Sequence, residues 1–238
     1  MPGWRAGRRK MIPRIGQTAV IIAIWTVLGY PYSVPGSCPH QLNSRQSAGE
    51  TGDLTARLQA MSPEEQVDFI RRAREEGRWN AVLSYYLGNA LFRQGEVDSA
   101  VSYYRESVTM DSTYSRSYVN LGIALEQLKK FDDARSSYER ALDADPEDVL
   151  AHCHLGYFHY VRGRYSRAVG HYRKALEADP MSAQAHYYLG VAFADAKVFR
   201  EAIAEWRKVA EIAPDSELGK TAAENAGLIE QYIELEAE

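Results

Sequence analysis

The sequence predicts an all-α protein built from stacked pairs of helices, and three regularities of spacing predict it. A Leu-Gly dipeptide recurs every 34 residues, with its glycine at Gly88, Gly122, Gly156 and Gly190. An alanine follows each glycine after twelve residues, and an aromatic residue follows each alanine after four: Ala100 and Tyr104, Ala134 and Tyr138, Ala168 and Tyr172, Ala202 and Trp206. A proline closes the last three units, at Pro146, Pro180 and Pro214, and Ser112 takes that place in the first. A fixed period of this length is typical of supersecondary units that bury one continuous core when they stack.

Each unit carries two apolar runs at helical spacing, separated by a short turn. In the first unit, for example, the first run consists of Val82, Tyr85, Tyr86, Leu87 and Ala90. The glycine and alanine are small residues where two helices approach closely, and the aromatic fills the space beside them. The turns fall at Gly95-Glu96, Lys129-Lys130, Gly163-Arg164 and Ala196-Lys197. Asp145-Pro146 and Asp179-Pro180 are expected to end one helix and open the next, with proline in the first helical turn.

The motifs resemble the tetratricopeptide repeat (TPR), whose signature is W-x2-L-G-x2-Y, then A-x3-F, then P, with a 34-residue period. The opening Trp is replaced by Ser84, Tyr118, His152 and His186, and the Tyr after Leu-Gly by Leu91, Leu125, His159 and Phe193. The resemblance implies a right-handed α-solenoid with units at 81–114, 115–148, 149–182 and 183–216. It covers rather more than half of the chain.

Charge is distributed unevenly along the 238 residues. Residues 1–50 carry a net charge of +5 and the remainder carries −9. An acidic folded region without a basic stripe argues against nucleic acid as a partner. No phosphate-binding glycine loop occurs, so no cofactor is expected. The two cysteines, Cys38 and Cys153, do not define a disulfide framework.

Residues 1–36 are expected to be a signal peptide or a membrane anchor. A basic segment without acids precedes an apolar stretch from Ile15 to about Tyr32. The stretch is also close to the length that spans a bilayer, and its basic flank predicts that the repeats lie outside the cytoplasm. Three fates remain open: cleavage after Gly36, lipidation of Cys38 as in bacterial lipoproteins, or an uncleaved anchor. The chain is therefore expected to be exported, and to be periplasmic or membrane-anchored.

The repeats are expected to lie between two capping segments. Residues 37–53 are rich in Ser, Gly, Pro, Gln and Asn and are expected to be a flexible linker. Residues 54–80 are expected to form a degenerate helical pair, with Ser62, Pro63 and Glu65 as a strong helix start. Residues 217–238 are expected to form a C-terminal capping helix with one apolar stripe and a polar outer face.

No catalytic constellation stands out in the sequence, and the chain is not expected to be an enzyme. His152, Cys153 and His154 are consecutive, so their side chains point about 100° apart on a helix and do not converge on one ion. His152 and His159 are two turns apart. A metal-binding or enzymatic role for the segment from His152 to His159 is the weakest alternative, and the expected metal content is none.

The resemblance implies that the first helix of each pair lines a concave groove that binds a peptide or a partner helix. About half of the lining residues are expected to pack between units instead of meeting a partner. The lining residues are Val82, Tyr85, Asn89, Phe92 and Arg93 in the first unit, Arg116, Val119, Asn120, Ile123 and Gln127 in the second, Leu150, Cys153, His154, Tyr157 and Tyr160 in the third, and Gln184, Tyr187, Val191 and Asp195 in the fourth.

One binding mode of the family can be compared residue by residue. The resemblance implies that chaperone-binding members hold a C-terminal carboxylate with two asparagines and three basic side chains. Asn89 and Asn120 match the asparagines, but Tyr85, Leu150 and His154 occupy the basic positions. Without those cations the carboxylates are not neutralised, so acidic chaperone tails are not expected to bind in this way.

Taken together, the sequence predicts a non-catalytic protein–protein interaction scaffold. It is expected to be exported or tethered to a membrane through its N-terminal segment, and to take part in assembling envelope complexes. The main alternative is a structural module that associates with itself.

Overall fold

A computed structural model of the protein describes residues 50–237, and its side chains are described from residue 54. This part contains eleven α-helices and no strand. The helices are α1 Glu50–Gln59, α2 Pro63–Glu75, α3 Ala81–Arg93, α4 Val97–Met110, α5 Ser115–Gln127, α6 Phe131–Ala144, α7 Val149–Val161, α8 Tyr165–Ala178, α9 Ala183–Asp195, α10 Phe199–Ile212 and α11 Glu217–Ala237. The predicted solenoid of helical pairs is confirmed.

The four repeats are the pairs α3–α4, α5–α6, α7–α8 and α9–α10, and each pair is joined by a loop of three residues. Three of these loops contain a residue at φ between +60° and +70°, and the fourth, at Gly95, has φ +84°. Gly95 and Gly163 adopt this left-handed backbone without a steric cost, whereas Lys129 and Lys197 adopt it with a side chain.

A glycine and an aromatic ring hold the two helices of each pair together. In the second unit a Cβ added to Gly122 would lie 2.5 Å from Cε1 of Tyr138. The other three units repeat this arrangement with Gly88 and Tyr104, Gly156 and Tyr172, and Gly190 and Trp206. The four rings are at most 1 % exposed, so each unit buries one large aromatic side chain at the position where its helices cross.

The N-terminal cap is a helical pair that begins slightly earlier than expected. Helix α1 starts at Glu50, inside the stretch predicted to be a linker. Ser62 and Glu65 form the predicted capping box: the Glu65 amide donates to Ser62 Oγ at 3.2 Å, and the Ser62 amide donates to Glu65 Oε2 at 2.8 Å. Gln66 stands where the repeats have the small alanine. It is buried, and its amide group donates to the carbonyl of Leu58 at 2.5 Å.

Helix α11 lacks the glycine that the first helix of each repeat places against an aromatic ring. Glu224 lies 34 residues after Gly190, at the position where each repeat needs a glycine against an aromatic ring, and it is exposed. One stripe of α11, with Ala222, Ala226 and Ile229, is buried against the preceding helices. The outer face of α11 carries charged residues, as expected, but it also exposes Leu228 and Leu235, at 55 % and 65 %, so it is not uniformly polar.

The prolines between the units lie in the loops and not in the first helical turn, which corrects the sequence interpretation. Helix α6 ends at Ala144, and α7 begins at Val149, three residues after Pro146. The side chain of Asp148 caps α7 by accepting from the amide of Ala151 at 2.9 Å, and Ser182 caps α9 in the same way. An N-cap side chain accepts a hydrogen bond from a backbone amide of the first helical turn, which the side chain of proline cannot do.

The described residues belong to one compact unit of the chain. Among them no helix is both long enough and apolar enough to cross a bilayer. The expectations for a signal peptide or anchor at 1–36 and for lipidation of Cys38 concern residues outside the described part.

Candidate interaction face

Contacts between the first helices of successive units define one continuous surface, which we call the first-helix face. It runs over α3, α5, α7, α9 and α11. Side chains meet from one helix to the next at four places along it: Asn89 with Asn120, Glu126 with His154, Tyr160 with Asp195, and Tyr187 with Asn225. Because the partners lie between 28 and 38 residues apart, the 34-residue period brings them together.

A polar cluster lies on the first two units. Oδ1 of Asn89 accepts hydrogen bonds from the hydroxyl of Tyr104 at 2.8 Å and from Nδ2 of Asn120 at 2.7 Å. Nδ2 of Asn120 also lies 3.3 Å from the hydroxyl of Tyr85. The oxygen of the Asn89 amide takes both bonds. Its NH2 group then has no hydrogen-bond partner among the described residues and remains available as a donor.

Arginine side chains lie on either side of this cluster. Arg93, in the last turn of α3, donates from Nη2 to Oε1 of the buried Gln66 at 2.6 Å. Arg116, in the first turn of α5, is half-buried and lies close enough to Tyr114 to lower its pKa, although burial raises the pKa of that phenol overall. Two guanidinium groups therefore lie near the amide group of Asn89.

The middle of the face is aromatic. The ring of His154 stacks on Tyr138 with centroids 4.8 Å apart, and its Nδ1 lies 3.4 Å from Oε2 of Glu126. Tyr157 is half-buried and its ring lies 5.8 Å from that of Tyr188. His154 thus stands at the position where chaperone-binding relatives would need a free cation, but here the side chain is paired with a carboxylate.

The far end of the face is acidic. The hydroxyl of Tyr160 donates to the carboxylate of Asp195, which is exposed. Burial, followed by this hydrogen bond and the charge of Asp195, raises the pKa of Tyr160. The phenol therefore stays protonated at neutral pH and keeps its hydrogen atom directed at the carboxylate.

The structure places the predicted groove residues at different depths. Val119, Cys153, Tyr187 and Val191 are buried and offer almost no surface to a partner. The remaining residues are half-buried, except for Arg93, Gln127 and Asp195, which are exposed. The half-buried residues are Val82, Tyr85, Asn89, Phe92, Arg116, Asn120, Ile123, Leu150, His154, Tyr157, Tyr160 and Gln184. Burial also raises the pKa of the Cys153 thiol, which keeps it protonated and unreactive.

A cluster of three histidines lies between α7 and α8, away from this face. Nδ1 of His152 is 3.1 Å from Nδ1 of His171, and the rings of His159 and His171 stack with centroids 5.5 Å apart. Burial, followed by the two neighbouring imidazoles, lowers the pKa of His171 to about 4. Within the described part of the chain, no group of three or more His, Cys, Asp or Glu residues is placed to hold a metal ion.

His171 is the one member of this cluster that the sequence interpretation did not consider. It comes from the second helix of its unit, 19 residues after His152. The same offset joins His186 to Glu205 at 2.5 Å in the next unit. The side chains of His152 and His186 each also bond the carbonyl of the proline six residues earlier. A fixed offset of 19 residues within a unit was the signal that could have identified this partner.

Two family models match the repeats. Both are described as tetratricopeptide repeat, and they match residues 79–147 in one case and residues 119–180 and 159–217 in the other. The chain belongs to the tetratricopeptide repeat family. A search of curated proteins found no match to this sequence.

Solved structures share the TPR fold at low sequence identity. The crystal structure of TTC0263, a thermophilic TPR protein of Thermus thermophilus, is 20 % identical, with a TM-score of 0.58 over 74 % of this chain and 95 % of that one. YrrB is 23 % identical, with a TM-score of 0.54 over 69 % of this chain and 84 % of its own. MamA is 20 % identical, with a TM-score of 0.53 over 69 % of this chain and 91 % of its own.

Proposed function

We propose that this TPR protein is a non-catalytic scaffold that binds a peptide or a partner helix along the first-helix face. The observation that carries the proposal is the amide of Asn89. Tyr104 and Asn120 hold its oxygen, and its NH2 group is left as an oriented donor in a half-buried position. A fixed donor of this kind suits a main-chain carbonyl of a bound segment, since such carbonyls accept hydrogen bonds whatever the sequence of the partner.

The surroundings of this donor favour a polypeptide ligand. Tyr85, Tyr157 and Tyr160 are half-buried, so each exposes part of its side chain to a partner. Tyrosine at such positions contributes strongly to protein interfaces. Arg93 and Arg116 lie towards one end of the face, and the carboxylate of Asp195 lies at the other. This difference in charge would orient an asymmetric ligand.

The comparisons add limited support. The structure of YrrB is described as that of a TPR protein with an unusual peptide-binding site. At 23 % identity the likeness concerns the fold, and peptide binding by this chain rests on the arrangement around Asn89.

Selection from a displayed peptide library tests the proposal. The protein comprising residues 37–238 serves as bait, in its wild-type form and as Asn89→Asp. Aspartate keeps the oxygen that Tyr104 and Asn120 bond, but it lacks the NH2 donor and adds a negative charge that repels a carbonyl oxygen. We expect the wild type to enrich peptides that bind to Asn89→Asp at least tenfold more weakly. This difference corresponds to about 1.4 kcal/mol of binding free energy.

Asn80→Asp is the matched control, because it makes the same chemical change at the N-cap of α3. Asn80 Oδ1 accepts from the amide of Leu83 at 2.9 Å, and an aspartate preserves that cap. Peptides that bind the wild type and Asn89→Asp equally well would place the binding surface elsewhere. A loss of binding in both variants would indicate a general charge effect and would also contradict the proposal.

We further propose that the scaffold is exported and acts at the cell envelope, where it helps assemble protein complexes. The support is the basic, then apolar, order of the first 36 residues. The intact mass of the mature protein distinguishes the three fates. Loss of 36 residues indicates cleavage, a lipid mass on a chain that begins at Cys38 indicates lipidation, and the full mass in the membrane fraction indicates an anchor. A full-length protein in the cytosolic fraction would contradict export.

A further inference from the structure

The repeats expose two kinds of loop, and these lie at opposite ends of the helical pairs. Loops within a unit cover 94–96, 128–130, 162–164 and 196–198, and loops between units cover 111–114, 145–148, 179–182 and 213–216. Because a three-residue loop joins antiparallel helices, all loops of one kind lie along the same edge of the stack.

The two edges carry opposite charge. The loops within units 2, 3 and 4 contain five basic residues and no acid: Lys129, Lys130, Arg162, Arg164 and Lys197. The loops between units contain six acids and no basic residue: Asp111, Asp145, Glu147, Asp148, Asp179 and Asp215. The acidic net charge of the repeats therefore conceals a separation of charge, and one edge is locally positive.

Large apolar side chains protrude along the same positive edge. Phe131 is 46 % exposed, Val161 46 %, Tyr165 50 % and Val198 37 %. They stand next to the basic loop residues in sequence and belong to units 2, 3 and 4. We call these four apolar residues and the five basic loop residues the basic edge.

One contact between units links the edges of units 2 and 3. The guanidinium of Arg162 lies 3.4 Å from the carboxylate of Asp132, in the first turn of α6. The same guanidinium lies 3.6 Å from the centre of the Phe158 ring, in the last turn of α7. The Tyr165 ring packs edge-on against Tyr160, with centroids 5.8 Å apart.

The backbone contributes helix termini of both signs to this edge. Helices α6, α8 and α10 begin here, and their N-cap residues Lys130, Arg164 and Val198 make no side-chain hydrogen bond to the first turn. The exposed amides of these N-termini carry a partial positive charge, which the partial negative charge of the C-terminal carbonyls of α5, α7 and α9 at the same edge opposes. On the acidic edge, by contrast, Asp148 and Ser182 cap the helices that begin there.

We propose that the basic edge binds the surface of an anionic lipid bilayer. Basic side chains beside an anionic membrane interact with its headgroups, while aromatic and aliphatic side chains enter the interface between headgroups and acyl chains. The edge offers both kinds of side chain on the tips of three neighbouring loops. It adjoins the first-helix face where Tyr165 packs on Tyr160, but it does not include the surface around Asn89, so a scaffold held in this way keeps that surface open to a polypeptide.

A lipid surface fits these loops better than a folded protein does. The exposed apolar side chains lie at the helix ends, in or beside the loops, and they line neither of the two cavities described next. Two cavities of the described residues, of about 370 Å³ and 190 Å³, lie instead between α10 and α11 and beside Trp79. A stable protein contact needs roughly 800 Å² of complementary surface on each partner, whereas a bilayer deforms around separate side chains.

Nearby acids limit the extent of the edge. Asp132, Asp133, Asp195 and Glu201 lie in the helical turns next to the loops. The C-terminal end of α11 meets the edge where Tyr232 packs on Phe199, with centroids 5.6 Å apart, and this end carries Glu230, Glu234 and Glu236. We therefore expect neutralising Glu234 and Glu236 to strengthen binding to anionic vesicles.

Co-sedimentation with lipid vesicles tests the proposal. The protein comprising residues 37–238 is used, so that the apolar N-terminal segment does not contribute, and its helical circular dichroism and melting transition are checked first. The core that holds this part together is built from its own residues, Leu58 to Ile229. We expect binding to vesicles of phosphatidylcholine and phosphatidylglycerol, weaker binding to pure phosphatidylcholine, and loss of binding at high salt.

Two pairs of substitutions are compared with matched controls. Lys130→Gln with Arg164→Gln should weaken binding by about 25-fold, since each basic residue near an anionic surface contributes about fivefold. Phe131→Ser with Tyr165→Ser should also weaken it. Arg140→Gln with Arg173→Gln removes two charges from the exposed sides of α6 and α8 and should have a much smaller effect. Met110→Ser with Met181→Ser removes exposed apolar side chains at the acidic edge and should have none.

The outcomes separate the alternatives. A wild-type protein that binds neither kind of vesicle would overturn the proposal, as would equal losses in the edge variants and their controls. Binding to polyglutamate without binding to vesicles would also overturn it and would identify an acidic protein as the partner of this edge. None of these results affects the peptide-library test, which depends on Asn89.

Discussion

Gly122 and Tyr138 lie so close together that the glycine has no room for a side chain. A Cβ at Gly122 would meet Cε1, Cζ and Cδ1 of the ring at 2.5, 2.7 and 2.8 Å. The ring is fully buried, and it is surrounded by the packed helices of its own and the adjacent unit. The pairing therefore fixes how closely α5 approaches α6.

Replacing Gly122 with alanine should destabilise the protein, because the ring cannot move away without disturbing a packed core. Overpacking of this kind costs about 1–3 kcal/mol. Gly170→Ala is the control: Gly170 also lies inside a helix, but its Cβ would meet nothing within 4 Å. That variant should gain about 0.5–1 kcal/mol from helix propensity. Urea unfolding followed by circular dichroism measures both, and equal effects of the two substitutions would contradict the packing argument.

The left-handed loop positions give a second prediction. Gly163 has φ +69°, and Lys129 occupies the same place in its unit with φ +60°. Gly163→Ala should cost about 1–2 kcal/mol, since a Cβ is unfavourable in this conformation. Lys129→Gly should relieve that strain, but it also increases the conformational entropy of the unfolded chain. The net increase in the free energy of unfolding should be up to about 1 kcal/mol. Thermal melting of the two variants should therefore shift in opposite directions, and a loss of stability in Lys129→Gly would show that the lysine side chain contributes more than the strain costs.

The 34-residue period predicted the fold because the features that repeat are also the features that pack. Leu-Gly and the later aromatic mark the crossing of the two helices, and every unit places them in contact. The ends were harder to predict, since the period fades there. Gln66 replaces the small alanine of the repeats, and its buried amide is satisfied by the carbonyl of Leu58, a contact that no pattern announces.

The candidate face was predicted less completely, for two physical reasons. Helical periodicity identifies the side of a helix but not how deeply a side chain lies, so Tyr187 was expected to line a groove and is only 4 % exposed. Hydrogen bonds between helices also escape a pattern based on hydrophobicity. The hydrogen bond from Asn120 to Asn89 joins the first helices of two units. It occupies the oxygen of the Asn89 amide, and the apolar pattern of the sequence does not predict it.

An acidic C-terminal peptide of the kind that chaperones carry is not expected to bind the first-helix face. Tyr85, Leu150 and His154 stand where cations would be needed, and His154 is already 3.4 Å from the carboxylate of Glu126. A carboxylate brought to this position would be desolvated without a cation to pair with. Fluorescence anisotropy with a labelled acidic peptide should show no saturable binding at micromolar concentrations. A micromolar dissociation constant would overturn this prediction.

The bonds of the histidine cluster determine where its protons lie at neutral pH. Nε2 of His152 is 3.1 Å from the carbonyl of Pro146, which can only accept, so this nitrogen carries the hydrogen. Nδ1 of His152 then accepts from Nδ1 of His171 at 3.1 Å. Protonating His152 would require His171 to change to the tautomer whose Nδ1 accepts. Burial lowers the pKa of all three histidines, His152, His159 and His171. Nearby positive charges lower these pKa values further, and they belong to Lys174, Arg164, Arg167 and Arg135. Nearby carboxylates oppose the shift, and they belong to Asp148, Glu177 and Glu139.

Acid should therefore weaken the packing of α7 against α8. The pKa of His171 is about 4 in the folded protein and about 6.5 in the unfolded chain, so the unfolded chain binds more protons between these values. The free energy of unfolding should have its full value above about pH 6.5. It should decrease by about 2 kcal/mol as the pH falls towards 4, after allowance for partial solvent access. For a protein of this size, that corresponds to a decrease in melting temperature of roughly 4–8 °C.

The variant His171→Gln separates this effect from general acid denaturation. Glutamine keeps a donor for His152 but does not take up a proton, so the difference in melting temperature between pH 7 and about pH 4.5 should be smaller than in the wild type. His186→Gln is the matched control, since His186 occupies the position of His152 in the next unit and faces the carboxylate of Glu205 at 2.5 Å instead of a second imidazole. That control should retain the acid sensitivity of the α7–α8 pair. If His171→Gln loses as much stability on acidification as the wild type, the carboxylates elsewhere in the chain, and not the histidine cluster, control its response to acid.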